Sequence, residues 1–258
     1  MRLAGLTAMA ALLIAGAVLA AEIPPGEHRS GYSFMGPDTK AMQDEDTANP
    51  GMLWVLDGET LWRRKTGAAD KACADCHNDA RDSMKGVAAR YPAYDKALGR
   101  PVDLEQRVNL CRANHQRGSA LAYESRDLLA LTAFVAQQSR GLPIETGADP
   151  ELAPFIAKGR ELFMRRQGQL DLGCTNCHDE NWDKHLAGSA ITQAQPTGYP
   201  IYRLEWQSLG SLQRRLRSCI TGVRAQAYDY GAPELVELEL YLMSRAHGMP
   251  MESPAVRP

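Results

Sequence analysis

Apolar residues recur at helical spacing in three stretches of the chain. In 150–166, Leu152, Phe155, Ile156, Leu162 and Phe163 share one face, with Asp149 placed to cap the first turn and Pro150 to open it. Residues 125–139 and 233–245 predict the closing helices of two halves, and each is followed by a Gly and a Pro that stop it. A fourth apolar run is of another kind. Residues 1–20 read MRLAGLTAMAALLIAGAVLA, with Arg2, then no charge, then small residues before Ala21-Glu22. That order predicts a secretory signal over 1–21, cleaved after Ala20 or Ala21. The alternative is an uncleaved anchor, but the run is short for a bilayer core, which needs ~20 apolar residues. No later segment is long or apolar enough to span, so an exported, periplasmic chain without a membrane span is expected. Residues 22–50 are polar and Pro/Gly-rich and predict an irregular N-terminal extension.

The pattern also repeats. GETLWRR at 58–64 matches GRELFMRR at 159–166, LEQRVNLC at 104–111 matches LQRRLRSC at 212–219, and SRGLPIE at 139–145 matches SRAHGMPME at 244–252. The offset is 101 residues early and 108 later, so the second copy carries seven extra residues somewhere in 179–211. Copies of this length exceed the ~20–50 residues of a solenoid unit. Each has the size of a small domain, and the joint is expected at 143–149.

Chemistry enters with two pentapeptides, CADCH at 73–77 and CTNCH at 174–178. C-x-x-C-H is the pattern of covalent c-type haem attachment. Two thiols three positions apart lie on one helical turn and can each add to a haem vinyl group. The adjacent imidazole then reaches the iron. Cys73, Cys76, Cys174 and Cys177 are therefore assigned to thioethers, and His77 and His178 to iron, for two covalently bound haem c groups. The fold expected is mainly α: two cytochrome c-like domains related by internal repeat, at 51–147 and 148–258, behind the extension at 22–50. The aromatics Trp54, Trp62, Tyr91, Phe155, Phe163 and Tyr202 are expected to pack the haem pockets. A formal net charge of −2 offers nothing to nucleic acid or to an anionic membrane surface.

Six cysteines less four leave Cys111 and Cys219, at matching places in the repeat. They could form a disulfide, stay free thiols, or each supply the sixth ligand of its own haem. The matching positions favour ligation. Met249 and Met251 follow the closing helix of the second half, and the first half has Leu142 and Ile144 there, so methionine cannot be the shared ligand. His115 and His185 lack counterparts and read as exposed polar residues, His115 being matched by Val223. A thiolate ligand would favour ferric iron and a low potential. Around Cys219 the chain carries Arg214, Arg215, Arg217 and Arg224, all within five residues. At i−4, Arg215 shares a helix face with Cys219, and Arg107 holds that place before Cys111. Arg214, Arg217 and Arg224 read as additions relative to Gln106, Asn109 and Gln116. Guanidinium forks suit oxyanions, so a small dianion is the expected guest.

The two C-x-x-C-H motifs, the lone cysteine after each, the segment RSCITGVRAQAYDYGAPELVELELYLMSRAHGMPMESPAVRP at 217–258 and the export signal resemble the diheme A subunit of the SoxAX cytochromes of sulfur-oxidising bacteria. The resemblance implies His/Cys ligation at both irons, by His77 with Cys111 and by His178 with Cys219, and a persulfide on Cys219. It implies a small monohaem cytochrome c partner, the X subunit, and a sulfur carrier protein with a cysteine in its C-terminal arm. The implied reaction joins thiosulfate to that cysteine, an L-cysteine S-thiosulfotransferase, with Cys219 and Arg215 catalytic. Two rivals remain: a diheme electron carrier without chemistry of its own, and a thiosulfate dehydrogenase that makes tetrathionate. A diheme peroxidase would want an open, His-lined distal face.

Overall fold

Two helix pairs carry the fold. The computed structural model describes residues 23–258, and the signal expected at 1–21 lies outside the described residues. In chain order the elements are α1 (Pro37–Asp44), α2 (Met52–Arg63), α3 (Ala74–His77), α4 (Ala80–Ser83), β1 (Ala93–Asp95), β2 (Arg100–Val102), α5 (Leu104–Cys111) and α6 (Arg126–Gln137). They continue as α7 (Ala153–Met164), α8 (Cys174–His178), β3 (His185–Leu186), β4 (Ser189–Ala190), β5 (Ile201–Arg203), β6 (Ser208–Gly210), α9 (Leu212–Gly222), α10 (Pro233–Arg245) and β7 (Ala255–Arg257). The mainly helical reading holds, and the three predicted helices are α7, α6 and α10. Asp149 caps the turn ahead of α7 by accepting from Glu151 N at 3.0 Å.

In the first half α2 crosses α6, and in the second α7 crosses α10. Glycine lets each crossing close. An added Cβ at Gly58 would lie 2.1 Å from the Ala130 carbonyl oxygen, and one at Gly159 would lie 2.0 Å from that of Glu237. Beside each crossing sits one aromatic pair: Trp62 with Phe134 at 5.8 Å, and Phe163 with Tyr241 at 5.5 Å. These positions correspond through the repeat.

The halves meet about a pseudo-twofold axis. Pro143 bridges its own counterpart, Pro250. Around them Gly141 N donates to Met251 O, Met251 N to Leu142 O, Ile144 N to Met249 O and Gly248 N to Ile144 O, all at 2.8–2.9 Å. Segment 143–149, read as a joint, is thus a packed seam: Ile144 is 0% exposed, and the Thr146 hydroxyl donates to Ala89 O or Tyr91 O. Two aromatic pairs obey the same axis. Trp54 meets Tyr202 at 5.9 Å, and Phe155 meets Tyr94 at 6.4 Å. Trp54, Tyr202 and Phe155 therefore serve the seam rather than the haem pockets expected for them. Met251 is buried in the core built on the first half, and Met249 packs against it, so neither stands at the second C-x-x-C-H.

Three features escaped the hydrophobic pattern. The hairpins β1/β2 and β5/β6 are too short to show an alternation, and β7 adds to β5 in parallel. The N-terminal extension is less irregular than its composition predicts. It forms α1 with Pro37 at the first turn, and it lies on the second half, where Gln193 bonds Arg29 N and Glu27 O and Phe34 meets Trp182. The seven extra residues fall between α8 and Tyr199 and include the β3/β4 hairpin, which has no first-half counterpart. No helix of the described residues is long and apolar enough to cross a membrane.

Carboxylates are buried where α5, α9 and α10 converge. Asp103, 0% exposed, accepts from Gln106 N, Tyr123 Oη and, across the seam, Gln213 Nε2 at 2.6–2.7 Å. Burial first, then the Asp103 charge, pushes Glu105 up to about 8. Its unfolded value is near ~4.3. Folding therefore takes up a proton across that window, and the sign follows: stability is complete below the unfolded value and declines as pH rises towards 8. Unfolding midpoints between pH 4 and 9 should fall over this range, and Glu105→Gln should flatten the decline; an unchanged profile would contradict the burial argument. At the helix crossing, Gly159→Ala should lose about 1–3 kcal/mol in denaturant unfolding by overpacking. Gly222→Ala, with nothing within 4 Å of the new Cβ, should leave the midpoint near wild type.

Candidate functional site

Each C-x-x-C-H motif sits on a short helix behind the same tight turn. Gly67 and Gly168 adopt φ +71° and +70°, followed by Asp70 and Asp171 at +47° and +49°. The turns lean on the segment after each lone cysteine. Ala68 N and Ala69 N bond Arg117 O and Gln116 O, and Gln169 N and Leu170 N bond Arg224 O and Val223 O. These contacts pair Arg224 with Arg117, both left-handed at φ +59° and +53°, and pair Val223 with Gln116. The pairing read from sequence, Val223 with His115 and Arg224 with Gln116, is therefore off by one. The cause is a π turn at Arg112–Gln116 that inserts one residue into the first half. Arg224 is exposed and is not an addition.

The lone cysteines stand where the repeat placed them, each beside its own motif. No disulfide links the described cysteines. Cys111 feels Cys76, and Cys219 lies against Cys174, Cys177 and His178. His115 and His185 are exposed, as read. His178 is the better-held imidazole: its Nδ1 lies 2.6 Å from Thr192 O. With Nδ1 held there, Nε2 is the nitrogen left to face Cys219, and it is the one a metal would take. Trp62 packs 5.7 Å from the His77 ring, which is otherwise exposed.

The electrostatics of the two sulfurs differ in sign. Burial pushes the Cys111 thiol up, and the Arg107 charge only partly opposes it. Burial also acts on Cys219, yet a hydrogen bond from His178 and the charges of Arg215, His178 and Arg203 outweigh it and hold this thiol below the ordinary range. The His178 hydrogen bond, which Cys111 lacks from His77, is the larger part of the contrast, and the ion pairing of the arginines adds to it. Arg107 is 2.6 Å from the Asp95 carboxylate and also bonds the Tyr91 hydroxyl. The second half repeats the tyrosine as Tyr199 and the arginine as Arg215, but Arg203 replaces the aspartate. The Cys219 charge raises Arg215 against the opposing effect of burial.

Of the arginines picked out by proximity along the chain, only Arg215 turns to the sulfur. Arg214 stacks on Trp206 at 4.3 Å and pairs with Glu124 at 3.7 Å, while Arg217 stacks on Tyr230 at 4.5 Å. Arg203, missed from sequence because it lies on β5, joins Arg215 instead. Its signal was present in the repeat: position 203 matches position 95 with reversed charge. The residues fit a c-type haem by their donor chemistry. Two thiols and an imidazole share α8, and a third sulfur faces that imidazole. Arg245, paired with Asp179 at 2.7 Å, keeps a buried Nη1 without a hydrogen-bond partner, suited to an anion such as a haem propionate.

Comparison with known proteins identifies the family. A description of the SoxA/TsdA cytochrome c domain matches residues 57–144 and again 158–251. The chain belongs to this family. It is 38% identical over 231 residues to the L-cysteine S-thiosulfotransferase subunit SoxA of Rhodovulum sulfidophilum, covering 90% of this chain and 80% of that one. The subunit of the same name from Pseudaminobacter salicylatoxidans is 36% identical, with 91% and 82% covered. Its fold matches a chain in the crystal structure of SoxXA from P. pantotrophus with a TM-score of 0.86 at 30% identity, covering 90% and 87%. The chain is thus a c-type cytochrome, and its haem is covalently attached.

Proposed function

We propose that this chain is the SoxA-type subunit of an L-cysteine S-thiosulfotransferase. It carries two haems, one in each of two units at 51–147 and 148–258, and works in the periplasm with a SoxX-type monohaem cytochrome c and a sulfur carrier protein. Cys73, Cys76, Cys174 and Cys177 hold the haems, and His77 with Cys111 and His178 with Cys219 ligate them. The observation that carries the reading is the unlike pair of lone cysteines: Arg107 beside Cys111 is paired with the buried Asp95, whereas both Arg215 and Arg203 act on the Cys219 sulfur. One-electron acceptance is what the haem supplies when bound.

The chain's own residues handle the sulfur. A carrier thiol loses its proton, its sulfur bonds to the terminal sulfur of thiosulfate, and two electrons leave through the cytochrome partner. On the way the Cys219 persulfide bonds the terminal sulfur of thiosulfate as the two electrons leave, and the carrier thiolate then attacks that sulfur, taking the S–SO3 group and releasing the persulfide. Arg215 holds the sulfonate end, where a guanidinium fork meets an oxyanion. The His178–Thr192 bond fixes the ring opposite that sulfur. The partly buried Tyr199 lies within reach of the Arg215 and Cys219 charges. At the first site Arg107 is already neutralised by Asp95, and that site serves structure or electron transfer.

The test is turnover of the full complex with thiosulfate, read as added mass on the carrier cysteine. Cys219→Ala should abolish the modification with the first haem's spectrum unchanged. Arg215→Ala should lower kcat by about 10²–10³ with haem content intact. Modification surviving in Cys219→Ala, or tetrathionate formed without a carrier, contradicts the proposal.

A further inference from the structure

Resting on the reading above, the geometry points to a second anion-holding residue: we propose that Arg203 grips the sulfonate of thiosulfate together with Arg215, and that the Glu205 carboxylate is a resident counter-ion which the substrate displaces.

The argument starts from the repeat. Hairpins β1/β2 and β5/β6 have the same register, Asp95 opposite Arg100 and Arg203 opposite Ser208. In the first half the side chain at this position reaches the helix arginine, since Asp95 is 2.6 Å from Arg107. In the second half Arg203 lies near enough to Arg215 for their charges to act on each other, and burial followed by the Arg215 charge depresses Arg203. Where the first site pairs its helix arginine with a buried aspartate, the second sets another arginine near it beside the sulfur, with only an exposed carboxylate as partner.

Arg203 is not free to swing into solvent. Its side chain is 12% exposed, its Nε donates to Pro258 O at 2.9 Å, and its strand lies between β6 and β7. Its guanidinium lies 5.3 Å from the Trp206 ring, whose other neighbour is Arg214 at 4.3 Å. Gly210 leaves room for that ring: an added Cβ would be 2.5 Å from Trp206. A largely buried guanidinium demands an anion.

The anion in place is Glu205, 3.0 Å from Arg203, and its charge also reaches Arg215. This carboxylate differs from Asp95. Asp95 is 9% exposed and pinned by Ala97 N and Leu98 N at 2.9 and 3.0 Å. Glu205 is 64% exposed on the hairpin turn, in the place Ala97 holds in the first half. An exposed partner of this kind is weakly held and yields to a dianion that can bind both arginines.

The experiment is calorimetric titration of thiosulfate into the oxidised holo-complex without carrier, alongside the carrier-modification assay and the haem spectrum of each variant. Arg203→Gln should weaken thiosulfate binding about ten- to hundred-fold, Arg203→Lys should retain part of it, and Arg203→Asp, which copies the Asp95–Arg107 arrangement, should lose most. Glu205→Gln should tighten binding by about two- to five-fold. As an exposed turn variant, it keeps the idea testable should the Arg203 variants fail to take up haem. Wild-type affinity in Arg203→Gln, or weaker binding in Glu205→Gln, overturns the proposal. Loss of carrier modification in Arg215→Ala with Arg203→Gln binding unaltered would sink this inference and leave the functional reading standing. Tight, Arg203-dependent thiosulfate binding with no carrier modification by wild type would do the reverse.

Discussion

A sulfur anion inside a protein needs positive charge within reach. Cys219 obtains it from Arg215 one helical turn earlier on α9 and from Arg203 on the neighbouring hairpin, with the His178 ring beside it. Burial alone would hold this thiol protonated, as it does Cys111. The rest of the second half arranges these groups. Ser211 caps α9 and sets where Arg215 and Cys219 point. The turn at Gly168 seats α8 against the end of α9, and Thr192 orients the ring opposite the sulfur.

The first half shows what that arrangement is not. The same tyrosine, arginine and cysteine recur as Tyr91, Arg107 and Cys111, but Asp95 closes the charge balance internally. In the charges facing the lone cysteine, the two copies thus differ by a reversal at a single hairpin position. The pseudo-twofold seam joins them into one body, with glycines at the helix crossings and paired aromatics on both sides of the axis.

Much of this was legible in the sequence. Helices α6, α7 and α10, the repeat, the haem-binding motifs and the matched lone cysteines follow from spacing, because a helix face and a five-residue motif are local properties. Closeness along a helix says nothing of direction: Arg214 and Arg217 lie as near Cys219 in sequence as Arg215, yet they turn to Trp206 and Tyr230. Arg203 is distant in sequence and arrives through a three-residue strand too short to carry a pattern. Trp54 and Tyr202 looked like pocket residues because aromatics at a haem site and at a seam have the same composition signature. The π turn after Cys111 moved the alignment by one, which spacing recorded as 30 residues from Cys111 to Gly141 against 29 from Cys219 to Gly248, without saying where.

The most direct measurement is electron paramagnetic resonance of the ferric full-length protein, compared with Cys219→Ala. Low-spin signals of thiolate–imidazole coordination, with the component from the second half lost in the variant, are expected. A methionine–imidazole or bis-imidazole signature in that half, unchanged by the substitution, would contradict the account.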